Sequence, residues 1–281
     1  MELTEKERFH NFNLQKGYEG ELKFDRLTEN LQEERFIIND LLLEVNNSYF
    51  QIDTLIQSQN VIHLLDIKNY EGDCYLESDK LFNVNTGREY KNPINQLQRS
   101  ATLFRQLLQN LKQNYLVKAV VVFINPEFTL YQAPMDQPII LPTQVNRFIK
   151  ELNSTQSRMN NEQKKLANKL ISLHHVINPY TLLPDFNYNQ LQKGIYCRNC
   201  RSFLVSLKNH HFICHKCGEK ENIEDAILRN VAEFKLLFPE RKITTQSIYE
   251  WCGVNLTRRT FCRVLKRNFT AVGSTSATYY K

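Results

Sequence analysis

The sequence predicts an α/β protein in which a mixed sheet flanked by helices occupies roughly residues 1–150, with a small cysteine-centred module and a basic helical tail behind it. Short β-like runs at 36–45, 49–57 and 61–68 precede an amphipathic helical pattern at 94–112 and then the nearly continuous apolar run LVKAVVVFIN at 116–125. Two C-x-x-C pairs follow at 197–200 and 214–217. Residues 241–281 hold eight of the 36 Lys and Arg but only one of the 30 Asp and Glu, so the tail carries about +7 while the remainder is near neutral.

Element by element, Leu22, Phe24, Leu27 and Leu31 recur at loosely helical spacing, so a helix is expected over 16–34, after a break at Gly17 and Gly20. The second and third β runs are joined by Ser58, Gln59 and Asn60, a tight polar connection that suits a hairpin. A further extended stretch is expected at 74–84. Asn92-Pro93 opens the next helix, whose apolar face is Leu97, Ala101, Phe104, Leu107, Leu108 and Leu111. The run at 116–125 reads as a strand buried on both faces. Residues 143–176 are polar-rich and helical, and residues 151–192 are expected as a helical linker. A cysteine module at 193–220 and a helical module at 221–281 complete the chain, the latter with a helix at 222–237 and two short helices around Gly253.

Composition is that of a chain able to bury a core, 42% hydrophobic and 23% charged over 281 residues. No stretch approaches the ~20 apolar residues that a membrane helix needs, and MELTEKERFH lacks a signal-peptide layout. A cytoplasmic location without membrane contact is therefore expected. In that setting, four cysteines in matched C-x-x-C pairs argue for metal over disulfides. Positive charge concentrated at one end suits a nucleic-acid partner.

The chemistry-bearing segment is Asp53 on one strand and Asp66-Ile67-Lys68 on the next. Residues two apart on a strand share a face, so Asp66 and Lys68 point one way while Ile67 packs the other. Two carboxylates and an ammonium converging at a sheet edge suit phosphodiester hydrolysis. Carboxylate oxygens hold Mg²⁺ or Mn²⁺, and a lysine offsets charge on the phosphate.

In order along the chain, Gly17-Tyr18-Glu19-Gly20-Glu21, Asp53, Asp66-Ile67-Lys68-Asn69-Tyr70-Glu71-Gly72 and Asn92-Pro93-Ile94-Asn95-Gln96 resemble the nuclease-related domain (NERD) family of the PD-(D/E)XK nuclease superfamily. The resemblance covers about residues 15–125. It implies a restriction-endonuclease-like fold with Glu21 assisting metal or water positioning, Asp53 and Asp66 as metal ligands, Lys68 as catalytic lysine and Gln96 lining the site. Asp66 stands where that family usually carries Glu, an exchange that the superfamily accepts.

Cys197, Cys200, Cys214 and Cys217 have the spacing of two zinc knuckles that together complete a tetrahedron around structural Zn²⁺. Phe203-Leu204-Val205 and His211-Phe212-Ile213 alternate like two ribbon strands. His210, His211 and His215 are expected at the surface, because four thiolates already satisfy zinc. The exposed Arg198, Arg201, Lys208 and Lys216 could touch phosphates.

Further on, Ile248, Trp251 and Cys252 fall on one helical face, Gly253-Val254-Asn255 forms a turn, and Phe261, Val264 and Leu265 line a second helix. This is helix-turn-helix spacing. Thr257 suits the N-cap of the second helix, which would present Arg258, Arg259, Arg263, Lys266 and Arg267 to DNA. Residues 270–281 would form a β wing. Cys74, Cys252 and Cys262 read as packing residues.

The sequence thus points to a Mg²⁺-dependent DNA endonuclease targeted by a basic helix-turn-helix, with homodimerisation left open. Its rivals are a non-catalytic DNA-binding regulator with a vestigial nuclease fold, and an RNA-processing nuclease.

Overall fold

The computed structural model describes residues 3–31, 34–181, 184–203, 205–208, 211–274 and 277–281. The chain divides into two compact units, one ending at Pro184 and one spanning Asp185–Lys281.

The first unit opens with helix α1, Glu5–Thr28. It starts well before the expected position 16 because Thr4 and Glu7 form a reciprocal cap, with the Thr4 N–H donating to the Glu7 carboxylate at 2.7 Å and the Glu7 N–H to the Thr4 hydroxyl at 3.3 Å. The Thr-x-x-Glu signature for this start was present in the sequence. Gly17 and Gly20 lie inside the helix rather than at a break. Strands β1 (Phe36–Val45), β2 (Ser48–Gln57) and β3 (Val61–Lys68) follow, then β4 (Gly72–Glu77), β5 (Lys80–Asn83) and β6 (Glu89–Tyr90). Helix α2 (Pro93–Asn110) leads to β7 (Leu116–Phe123), β8 (Phe128–Tyr131), β9 (Ile139–Ile140), α3 (Pro142–Ser154) and α4 (Asn161–Ser172).

The main sheet has the order β1-β2-β3-β7-β9. β1/β2 and β2/β3 are antiparallel, while β3/β7 and β7/β9 are parallel, so the sheet is mixed as expected. The Ser58–Asn60 connection closes the anticipated hairpin. The stretch expected as one extended segment at 74–84 is instead a hairpin in a second sheet, β6-β5-β4-β8, with Ser78 and Asp79 at φ +48° and +61° making its turn. β7 is buried on both faces only at Val121, Val122 and Phe123; Leu116 and Lys118 are exposed. An unpaired lysine in mid-run resists burial.

Helices cover both faces of the main sheet. On one face Phe24 of α1 and Val145 and Leu152 of α3 pack with Ile56, Leu65, Ile67 and Val122. On the other, Ala101, Phe104 and Leu108 of α2 and Leu166 and Leu170 of α4 pack with Leu43, Leu55 and Leu64. Residues 142–172 therefore cover the sheet, where a linker was expected. Their apolar positions are few, but they form one stripe, and one stripe is enough to bury a helix on a sheet.

In the second unit, β10 (Val205–Lys208), β11 (His211–Cys214) and β12 (Lys220–Asn222) form an antiparallel sheet. Its third strand was not anticipated, and Phe203 precedes the first strand instead of joining it; Leu204 and His210 lie outside the described residues. Helices α5 (Ile223–Leu237), α6 (Thr245–Cys252) and α7 (Arg258–Asn268) follow, then the antiparallel pair β13 (Ala271–Val272) and β14 (Tyr279–Tyr280), to which Ile243 adds a bridge at Tyr280. Gly253 ends α6 at φ +50°, the left-handed conformation expected at that turn. Ile195 and Phe212 share one core with Phe234, Ile248, Trp251, Phe261 and Leu265. Among the described residues no helix is long and apolar enough to cross a membrane.

Candidate active site and metal centre

β2 and β3 pair from Thr54↔Leu65 to Gln57↔Ile62, and the ladder stops there although both strands continue. β3 stays paired with β7 as far as Lys68↔Phe123, and β2 stays paired with β1 at Ile52↔Leu41. The sheet thus forks between β2 and β3. Asp53 fills the fork: its Oδ2 accepts the Ile67 N–H at 2.8 Å, a backbone donor left over where the ladder ends. Across the fork, Asp66 accepts from Lys68 Nζ through Oδ1 at 2.9 Å.

Asp53 and Asp66 lie on the same face of the sheet, as the alternation read from the sequence requires, and their carboxyls are in hydrogen-bonding proximity. Leu97 and Ser100 of α2 close one side of the small cleft that the two acids line. Glu21, on α1, feels the charges of Asp66 and Lys68. Gln96 sits half-buried on the first turn of α2, next to Leu97. Lys91, whose charge favours ionised Asp66, and Tyr70, which feels the Lys68 charge while its ring packs with Tyr90, Phe123 and Phe128, are neighbours that the sequence pattern did not single out.

The cluster is electrically unusual. Asp53 is pushed up to about 7 by burial and by the Asp66 charge, with Lys68 and the Ile67 N–H opposing. Burial also raises Asp66, against the pull of Lys68. Glu21 is raised by burial and by Asp40 and Asp25. For Lys68, burial works against the charged form, but Asp66 and Asp53 outweigh it and hold the ammonium above its ordinary value. Asp66 is 7% exposed, and its Oδ2 is buried with no hydrogen-bond donor against it. A buried carboxylate oxygen without a donor is costly unless a proton or a cation reaches it. The donor set is all oxygen, which fits a hard divalent cation such as Mg²⁺ or Mn²⁺.

In the second unit the Sγ atoms of Cys197, Cys200, Cys214 and Cys217 all lie within 4.8 Å of one another, a group that could hold a metal ion. The Cys197–Cys217 and Cys200–Cys214 sulfur pairs are each 3.5 Å apart, with no disulfide. Four ligands at ~2.3 Å from a tetrahedral zinc stand about 3.8 Å apart, close to this spacing. His211 and His215 are exposed, as expected. Arg198 pairs with Glu219 at 2.6 Å, so its charge is offset, whereas Arg201, Lys208 and Lys216 are simply exposed.

Thr257 caps α7, its hydroxyl accepting the Thr260 N–H at 3.4 Å. All five basic residues expected on the outer face of α7 are exposed. Two have partners within the unit: Arg258 lies 5.3 Å from the Tyr249 ring centroid, and Arg267 pairs with Glu224 at 2.8 Å. Cys252 is buried and Cys262 half-buried, in keeping with packing roles, and Cys74 is buried in β4.

Residues 16–124, less than half of the chain, match the family described as nuclease-related domain (NERD). No curated protein and no solved structure matches the chain.

Proposed function

We propose that the nuclease-related domain is an active, divalent-metal-dependent DNA endonuclease and that the second unit delivers it to DNA. The observation that carries this reading is the pairing of half-buried Asp53 with buried Asp66 at the strand fork, with a donor-less Asp66 Oδ2 and a charged Lys68 beside it. Asp53 and Asp66 would hold Mg²⁺ or Mn²⁺, with Glu21 assisting and Gln96 lining the cleft. Bound there, the cation supplies Lewis acidity toward a phosphoryl oxygen and favours deprotonation of water. Lys68, kept protonated by its two aspartates, presents a fixed positive charge to the phosphate as negative charge builds. The Ile67 N–H holds Asp53 in one orientation, so the carboxylates meet the cation without reorganising.

In the second unit, α6, the Gly253 turn, α7 and the β13/β14 hairpin have the element order of a winged helix-turn-helix, which supports α7 as the element that enters a DNA groove. Thr257, Arg258, Arg259, Arg263, Lys266 and Arg267 are the proposed contacts. The cysteine cluster is proposed to bind structural zinc.

Incubating the purified chain with supercoiled plasmid and Mg²⁺ or Mn²⁺, beside Lys68→Ala and an EDTA control, tests the proposal. Cleavage that EDTA abolishes and Lys68→Ala reduces at least ~100-fold is the expected result. DNA binding without Lys68-dependent cleavage would leave a non-catalytic regulator. Preference for RNA over duplex DNA at fixed salt would instead favour an RNA-processing enzyme.

A further inference from the structure

Gly20 and Asn69 have no role in the chemistry above, yet each is the covalent neighbour of a proposed site residue: Gly20 precedes Glu21 on α1, and Asn69 follows Lys68 at the end of β3. Gly20 is buried in mid-helix, where glycine is a poor helix former. Space explains its presence. A Cβ on Gly20 would stand 2.6 Å from Asn69 Cβ, 3.3 Å from Asn69 Cγ and 3.4 Å from Ile124 Cγ2.

Asn69 is 8% exposed, and its Nδ2 donates to the Lys16 carbonyl, one turn before Gly20, at 2.7 Å. The Lys16 ammonium pairs in turn with Glu71, two residues beyond Asn69. The loop after β3 therefore grips a single turn of α1 by a close approach, a hydrogen bond and an ion pair. By contrast, a Cβ on Gly17, the other glycine of the quoted motif, would meet nothing within 4 Å.

We infer that Gly20 and Asn69 are positioning residues, whose contact sets the distance of Glu21 from Asp66 and Lys68. This rests on the nuclease reading above and adds to it the reason why a glycine precedes the helix carboxylate. Relieving a Cβ–Cβ contact of 2.6 Å to ordinary van der Waals separation requires α1 to retreat from β3 by about 1 Å. A misplacement of ~1 Å at a catalytic group can cost about 100-fold in rate.

The test is a double-mutant cycle in the full chain with Gly20→Ala, Glu21→Ala and the pair, read by plasmid cleavage and by Mn²⁺ affinity from calorimetry. Gly20→Ala is expected to lower kcat about 100-fold, to change KM for plasmid less than about 3-fold, and to weaken Mn²⁺ binding. In the Glu21→Ala background it is expected to do nothing more. Asn69→Ala removes the hydrogen bond without creating a clash, so it keeps the test open if Gly20→Ala does not fold; a fall of about 10-fold in kcat, again absent without Glu21, is expected.

An equal loss from Gly20→Ala or Asn69→Ala with and without Glu21 would overturn the inference, as would unchanged activity and Mn²⁺ affinity in both variants. If wild type shows no Lys68-dependent cleavage, the nuclease reading fails separately, and the Mn²⁺ cycle alone decides the positioning role. If wild type binds no Mn²⁺ either, both fall.

Discussion

Replacing Asp53 by Asn should stabilise the metal-free protein while abolishing its proposed chemistry. Asn keeps an oxygen for the Ile67 N–H, so shape and hydrogen bond survive and only the charge changes. Asp53 titrates at about 7 in the fold against an ordinary value of 3.8. A raised carboxyl pKa means that the native state holds the proton more tightly than the unfolded chain. Stability from this group is therefore fully present below pH ~4 and is lost as pH rises to about 7. About three pK units at ~1.4 kcal/mol each correspond to roughly 4 kcal/mol, or about 10 °C in melting temperature for a unit of this size.

The assay is thermal melting of wild type and Asp53→Asn in EDTA at pH 5 and pH 8. The variant should gain most at pH 8 and little at pH 5. Saturating Mn²⁺ should then raise the wild-type transition at pH 8, by about 2.7 kcal/mol at one hundred times Kd, and leave the variant nearly unmoved. A variant less stable than wild type at pH 8 in EDTA would refute the charge argument, and equal Mn²⁺ stabilisation of both proteins would refute Asp53 as a ligand.

His63, pushed down to about 4 by burial and by Lys118 and Arg35, contributes stability that is present above pH ~6.5 and lost as pH falls toward 4; His63→Gln should remove that acid loss, worth up to about 3 kcal/mol by urea denaturation, and leave the opposite slope of Asp53 exposed. This slope opposes that of Asp53, so the wild-type profile between pH 4 and 7 should be flatter than either variant's. Because Ile195 and Phe212 of the cysteine module share a core with Trp251 and Phe261, chelating the proposed zinc, or Cys214→Ser, should melt the helices of the second unit together with the cysteine module, seen as loss of protease resistance across 185–281. Replacing Arg259, Arg263 and Lys266 by Ala should reduce the salt slope of duplex-DNA binding by about 2.7, at ~0.9 per phosphate contact; an unchanged slope would remove α7 from the interface.

The candidate site was legible where its logic is local. A period of two placed Asp66 and Lys68 on one face, a polar three-residue connection brought Asp53 to the neighbouring strand, and Gly253 marked the turn that α6 makes. What escaped depended on partners remote in sequence. Gly20 reads as a helix breaker until Asn69 is seen against it, because the need for a missing Cβ lies in the tertiary contact. The polar helices α3 and α4 read as linker because a stripe as sparse as Val145 and Leu152, or Leu166 and Leu170, gains meaning only once a sheet lies beneath it. The fork between β2 and β3 has no sequence signature either, since both strands continue as regular β pattern beyond the point where they part.

Charge balance links the fork to its proposed occupant. Fully ionised, Glu21, Asp53 and Asp66 carry three negative charges against the single positive charge of Lys68, in a place where all four are at least half withdrawn from water. A purely structural carboxylate network would be expected to depress its own pKa values through paired donors. Here all three acids are raised, chiefly by burial, so the donors they have do not repay the loss of water around their charged forms. Protons can make up the deficit, and at neutral pH Asp53 would be about half protonated for that reason. A single divalent cation would cancel the excess of two negative charges completely and would give Asp66 Oδ2 the partner it lacks. On this view the stability lost between pH ~4 and about 7 in the metal-free protein and the affinity gained for a metal over the same range are one free energy, read from opposite sides of a linkage.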